Sequence, residues 1–244
     1  MKKVAIITSL LVLPFALAAC CPGKEHATAS NPKPLVERVL TQEEQQNLTP
    51  DEVITMLRKG NQQFVSGTLT YRDHSKQVRD AALGQYPKAV ILSCLDSRIP
   101  VEDVFDRGIG DLFVARVAGN FENTDILGSM EFACKVSGSK LVLVLGHEKC
   151  GAINGAIDGV QLGNITPMLE NIKPAVEYFA DYDGEKTSDN EKFTHMVTEQ
   201  NVRLTIQDIR KHSPILNEME KNGQIKIVGG IYEMNTGQVS FLKP

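Results

Sequence analysis

The sequence predicts an α/β fold, a mainly parallel central sheet flanked by helices, with an N-terminal helical arm and a C-terminal antiparallel edge strand. Three observations carry this. Apolar, β-branched runs such as Ala89-Val90-Ile91-Leu92 and Leu141-Val142-Leu143-Val144-Leu145 lack the polar alternation of a half-exposed strand, as strands covered on both faces do. Patterns with apolar residues three and four apart separate these runs and read as helices. Cys94 and the His147-Glu148-Lys149-Cys150 set each leave the end of such a strand. If the two strands are parallel neighbours, Cys94, His147 and Cys150 converge outside the carboxyl edge of one sheet, where open α/β sheets build their sites.

The 244 residues are read as a single folded domain, and a hydrophobic content of 42% is ample for a core. A formal charge of −4 and the absence of long Lys/Arg tracts give no footprint for nucleic acid, so the substrate is expected to be small. At the start, Lys2 and Lys3 precede an apolar stretch over residues 4–19, interrupted by Pro14. It is short for a membrane span and has the flanks of a secretory signal, so residues 1–19 are read as a signal peptide. Leu17-Ala18-Ala19-Cys20 resembles the lipobox of bacterial lipoproteins, which are cut before the Cys and acylated on it. That resemblance makes Cys20 the lipidation site of an exported cell-envelope or periplasmic protein that meets the membrane only through its anchor. The alternative is a plain signal peptide cut nearby, which leaves Cys20 and Cys21 as ordinary exported thiols.

Residues 20–48 read as a linker or arm, rich in Pro, Ala, Ser, Thr, Glu and Gln. Within them Leu35, Val36, Val39 and Leu40 stand at helical spacing, either a short helix or an arm on a neighbouring subunit. The folded domain, residues 49–244, opens at Thr49-Pro50-Asp51-Glu52, a capping box with Pro at the first helical position. A second helical piece over residues 73–83 leads through Gly84-Gln85-Tyr86-Pro87 into the first strand. Pro100 starts a short helix, residues 111–117 form the second strand, and Ile126, Leu127, Met130, Phe132 and Ala133 mark the next helix. The strand at 141–145 delivers His147, and Cys150-Gly151-Ala152-Ile153 turns into a helix. From residue 165 to residue 212 the pattern is helical, with a polar loop over 181–191. Ser213-Pro214 restarts a helix that Gly223 stops, Ile225 begins the last long strand, and Asn235-Thr236-Gly237 turns into the antiparallel edge strand at 239–242.

Two thiolates and one imidazole are a good zinc set: Cys94, His147 and Cys150 would fill three tetrahedral positions and leave the fourth for water, substrate or a carboxylate. Export to an oxidising compartment makes a Cys94–Cys150 disulfide the rival reading, but a disulfide explains neither His147 nor Asp96. Asp96 lies two residues from Cys94 and two from Arg98. Paired with Arg98 it is held away from the metal and can orient the nucleophile; freed, it can become the fourth ligand in a closed state. The bland alternative is an ion pair that merely supports the loop. Cys134 falls at an inward position of a helix and reads as a buried, inert thiol. His74, His195 and His212 lack metal spacing, and the default for them is surface or core-edge histidines, with a proton shuttle as the other reading.

Cys94-x-Asp96-Ser97-Arg98 with His147-x-x-Cys150-Gly151 resembles the zinc signature of the β-class carbonic anhydrases. The likeness extends to Gln85-Tyr86-Pro87, to Gly110-Asp111-Leu112-Phe113-Val114-x-Arg116-x-Ala118-Gly119-Asn120, and to Val228-Gly229-Gly230-Ile231-Tyr232. It implies one Zn2+ per subunit and reversible hydration of carbon dioxide to bicarbonate and a proton by attack of zinc-bound hydroxide. It also implies that Asp96 and Arg98 serve catalysis, that Gln85 and the N–H of Gly151 hold substrate, and that the chain forms a homodimer or higher even oligomer with sites near subunit boundaries. In relatives inhibited by bicarbonate at a second site, a Trp stands three residues before the first Cys; here that position is Ile91. Two rival functions remain at this stage: a closed zinc-binding or thiol redox protein without turnover, and hydrolysis of CS2 or COS at the same site.

Overall fold

The structure, a computed structural model, describes residues 39–243. The expected signal peptide, Cys20, Leu35 and Val36 lie outside the described residues. Among the described residues, no helix is long and apolar enough to cross a membrane.

Helix α1, Gln42–Asn47, is capped by Thr41 and Glu44 in a reciprocal box. Its Gln45 is buried, and Nε2 donates to the carbonyls of Pro87 at 2.7 Å and Ser137 at 2.8 Å. The packed body therefore starts before residue 49, the boundary expected from the sequence. A buried amide satisfied by two distant carbonyls looks, in sequence, like one more polar residue of a tether.

Helix α2, Pro50–Val65, begins at the expected Thr49/Glu52 box and buries Val53 and Leu57. Helix α3, His74–Ala81, starts on an Asp73 cap. Strand β1, Ala89–Ser93, is followed by α4, Val101–Val104, and by strand β2, Leu112–Arg116. Helix α5, Thr124–Glu131, widens into a π-helical turn at Phe132–Val136 and leads to strand β3, Leu141–His147. Helix α6 spans Gly151–Ile157. The segment expected to be continuously helical is split into α7, Ile165–Leu169, and α8, Lys173–Glu177, because Pro174 has no N–H to continue the ladder and starts a helix instead. Helices α9, Glu191–His212, and α10, Pro214–Lys221, precede β4, Lys226–Tyr232, and β5, Val239–Phe241.

The five strands form one sheet in the order β2-β1-β3-β4-β5, parallel except for β5, which runs antiparallel to β4. The period of two in β1 and β3 sorts their side chains. Val90, Leu92, Val142 and Val144 face a core with Met130, Ile206, Ile209 and Leu216; Ala89, Ile91, Leu141, Leu143 and Leu145 face another with Val53, Leu57 and Phe105. Each fully buried Leu, Ile or Val contributes about 1.5–3 kcal/mol. This two-sided burial explains why β1 and β3 read as unbroken apolar runs, and it makes the two strands that carry the reactive residues rigid neighbours.

Candidate metal centre

Because β1 and β3 are parallel neighbours in register, with Ser93 beside Leu145, the residues that follow them emerge on the same edge. Cys94, His147 and Cys150 meet there, all buried, with one ligand atom of each lying within 4.8 Å of the others. The Cys94 and Cys150 sulfurs are 3.9 Å apart. Two sulfurs about 2.3 Å from a tetrahedral zinc would be about 3.8 Å apart. Lys149 takes a left-handed turn, φ 54°, between His147 and Cys150, which brings both ligands back to one point.

His147 is fully buried, and its Nδ1 lies 2.9 Å from the Glu148 carbonyl. A carbonyl only accepts, so Nδ1 carries the proton and Nε2 presents its lone pair. That Nε2 is buried without a hydrogen-bond partner. A buried imidazole nitrogen left bare beside two thiols is what a ligand site looks like without its ion, so the residues fit a tetrahedral zinc.

One of the two thiols is already biased toward ionisation. The hydrogen bond from Cys150, helped by the neighbouring His147 ring and by the N–H of Gly119 at 3.4 Å, holds the Cys94 thiol down to about 4 despite its burial. Cys150 moves the other way, above the ordinary thiol range, because its proton is held against Cys94 and burial disfavours a second charge. The pair is thus biased toward sharing a single proton, with the negative charge favoured on Cys94.

Asp96 is paired with Arg98, whose Nε and Nη2 donate to the two carboxylate oxygens at 2.9 and 2.6 Å. The side-chain bond from Arg98, helped by the Arg98 backbone N–H, holds Asp96 down to about 2. Its Oδ2 lies 4.0 Å from His147 Nε2, so the carboxylate borders the cluster while Arg98 retains it. Arg98 Nη2 also donates to the Lys149 carbonyl at 3.2 Å, joining the two ligand-bearing loops.

Gly151 opens α6 directly after Cys150 and is exposed. Gln85 is not brought to the cluster. It is exposed and precedes the amino end of β1, whereas Cys94 follows the carboxyl end, so five strand residues at about 3.3 Å each separate them. His195 pairs with Glu148 at 3.2 Å, His212 with Glu122 at 2.8 Å, and His74 opens α3; none joins the cluster. Burial alone pushes the Cys134 thiol up to about 12, in keeping with an inert core residue.

Other residues of the centre were given no role from the sequence. Arg116 donates to the carbonyls of Cys94 at 2.9 Å and Ile99 at 2.7 Å, pinning both ends of the Cys94 loop. Asn201, buried on α9, donates to the Gly119 carbonyl at 2.8 Å. Gly119 has φ +86°, a conformation that favours glycine, and a Cβ there would also press on Ile172 Cδ1 at 2.4 Å. Asn201 is one polar residue on a long helix, and no local signal marks it.

A parallel sheet carrying a two-cysteine, one-histidine centre at its carboxyl edge, with a carboxylate and a guanidinium beside it, defines a class of α/β enzyme. Comparison with known proteins narrows the class. The family model described as "Carbonic anhydrase" matches residues 89–239. "Carbonic anhydrase 2" of Mycobacterium tuberculosis is 33% identical over 198 residues, which cover 79% of this chain and 92% of that protein. The carbonic anhydrase of Mycolicibacterium smegmatis is 29% identical over 79% of this chain and 93% of its own. Among solved structures, a tetrameric β-carbonic anhydrase from Sordaria macrospora superposes with a TM-score of 0.62 at 25% identity, covering 68% of this chain and 86% of that one. The Coccomyxa β-carbonic anhydrase, in complex with acetazolamide, shares the fold with a TM-score of 0.60 at 20% identity, over 79% of this chain and 82% of its own. The chain belongs to the carbonic anhydrase family, in its β class.

Proposed function

We propose that the chain catalyses reversible hydration of carbon dioxide to bicarbonate and a proton, with one zinc per subunit held by Cys94, His147 and Cys150. The observation that carries this is the bare, buried Nε2 of His147 between two thiols 3.9 Å apart. Zinc bound there would supply hydroxide near neutral pH, a nucleophile for the carbon of CO2.

The chain's own residues do the rest. The Glu148 carbonyl fixes the tautomer that leaves His147 Nε2 free to ligate. Asp96, ionised and held by Arg98, offers an acceptor oxygen at the edge of the cluster that orients the attacking oxygen through a hydrogen bond. Phe121, Ile153, Leu169, Ile172 and Phe193 pack with Cys94 and Cys150 into an apolar wall, which suits an uncharged linear substrate and keeps bulk water off the ligands. The N–H of Gly151, in the unpaired first turn of α6, is a donor for bicarbonate. Gln85 reaches substrate only from a second copy, which agrees with a homodimer or higher even oligomer whose sites lie near subunit boundaries.

Stopped-flow measurement of CO2 hydration by the zinc-loaded chain tests the activity. Stoichiometric zinc without turnover would instead identify a binding protein. Localisation is proposed from Leu17-Ala18-Ala19-Cys20: an exported, envelope-facing lipoprotein acylated on Cys20, with no other membrane contact.

A further inference from the structure

The outer edge of β4 is only half covered. β4 has seven residues and β5 three, and β5 pairs with Gly230, Ile231 and Tyr232 alone. Past that pairing the Leu242 N–H still donates to the Gly229 carbonyl at 2.9 Å, but the chain then turns away, its Lys243 carbonyl held by Arg203 Nη1 at 3.1 Å. The Lys226 N–H faces β3, where it meets the Lys140 carbonyl, so alternation turns the backbone groups of Ile227 and Gly229 outward. Gly229 is buried, and among the described residues nothing accepts from its N–H. The amino half of β4 opens instead on a groove of about 950 Å³, between α2 on one face of the sheet and α9 and α10 on the other.

Two features decide what the groove can hold. A further strand is excluded, because the outward groups of Ile227 are already used: its N–H donates to Glu220 Oε1 at 3.1 Å and its carbonyl accepts from Arg210 Nη2 at 3.2 Å. The second feature is an unbalanced charge. Both lining carboxylates are occupied, Asp51 by Lys226 and Glu220 by Arg210, whereas Arg58 has no carboxylate partner among the described residues. Its guanidinium sits 4.1 Å from the centre of the Phe241 ring, a contact that holds the cation in place without neutralising it. Ile54, one turn before Arg58 on α2, and Ile206, Ile225 and Leu242 supply apolar walls.

We infer that this groove binds an amphipathic monocarboxylate, a medium-chain aliphatic acid, with its carboxylate on Arg58 and its chain along the apolar walls. The volume lies within the range of about 300–1,000 Å³ found for small-molecule sites. The Gly229 N–H is a second donor on the same groove, and a bound acid can satisfy a buried group that the fold leaves open. The site is separate from the metal centre: Gly229 stands beside Val144, which precedes His147 by about 10 Å of strand, so binding does not require zinc.

Isothermal titration of octanoate, decanoate and the uncharged octanol into the zinc-loaded full chain tests it. The expected result is saturable binding of one acid per chain, tightening about fourfold for each added methylene. Octanoate should bind about tenfold or more tighter than octanol, and Arg58→Gln should abolish that preference while circular dichroism and CO2 hydration stay unchanged. A photoreactive diazirine analogue of decanoate should label α2 or β4. Labelling confined to the metal-centre loops, or a preference for acid over alcohol that survives in Arg58→Gln, would overturn the inference. So would the absence of saturable binding; if Arg58→Gln then also moved the chain to smaller species in sedimentation velocity, the groove would be the seat of a second copy instead.

Discussion

Asn201 donates to the carbonyl of Gly119, and the N–H of that same glycine points at the Cys94 sulfur, so a residue on α9 holds the glycine whose other face bonds a candidate metal ligand. The link is short at its first step, 2.8 Å, and buried throughout. Asn201→Ala should therefore leave a buried carbonyl unpaired, at a cost of about 1–3 kcal/mol, and loosen the Cys94 sulfur as well. Thermal unfolding and zinc competition against a chelator separate the two effects. A lower Tm with unchanged zinc affinity would reduce Asn201 to a purely structural residue.

Cys150→Ser should remove a thiolate ligand, and with it both zinc and turnover. Metal analysis of the purified variant decides this. One zinc per chain with normal CO2 hydration would mean that Cys150 does not ligate.

Asp96 has a depressed pKa, about 2, caused first by the Arg98 side chain. A carboxylate depressed in the folded state contributes stability above its unfolded value of about 3.9 and loses it as pH falls toward 2. Its pairing with Arg98 is therefore intact throughout the neutral and alkaline range, and Asp96 is not the group that titrates there. Activity should still rise with pH across that range, because two thiolates leave less positive charge at the centre than three imidazoles would, and hydroxide forms later. Arg98→Ala should free Asp96 to occupy the fourth position and depress activity even at high pH. Zinc X-ray absorption at two pH values reports the ligand set; unchanged coordination and rate in the variant would leave Asp96 as an orienting group only.

Stripped of zinc and exposed to a disulfide oxidant such as oxidised glutathione, Cys94 and Cys150 should join, the two thiols giving up two protons and two electrons to the oxidant. Cys94, the thiol biased toward ionisation, should attack first, and Cys150 then displaces the second glutathione as thiol. Activity should then return with reductant plus zinc but not with zinc alone. Full recovery without reductant would show that the pair does not cross-link.

If Cys20 is acylated, mass spectrometry of membrane-extracted protein should find a mature chain that begins there with the mass of its lipid. A soluble product with a free amino terminus would leave the plain signal-peptide reading.

The strands that carry the site, the Thr49/Glu52 cap, and the trio Cys94, His147 and Cys150 were legible in the sequence. Each rests on a local pattern, a run of apolar residues buried on both faces or a side chain one to three residues from its partner, and local patterns survive without knowledge of the fold. The resemblance of the motifs to β-class carbonic anhydrases added the reaction and was met by the family comparison. Tertiary structure alone decided the rest. Whether Gln85 and Cys94 share a strand end or stand at opposite ones, whether Gln45 is tether or buried bracket, and which distant residues hold the centre all depend on how the chain returns to itself. Arg116 and Asn201 reach the Cys94 loop across 22 and, by way of Gly119, 82 residues of sequence. Such contacts are set by sheet order and helix packing, so neither residue carries in the sequence any mark of the partner it meets.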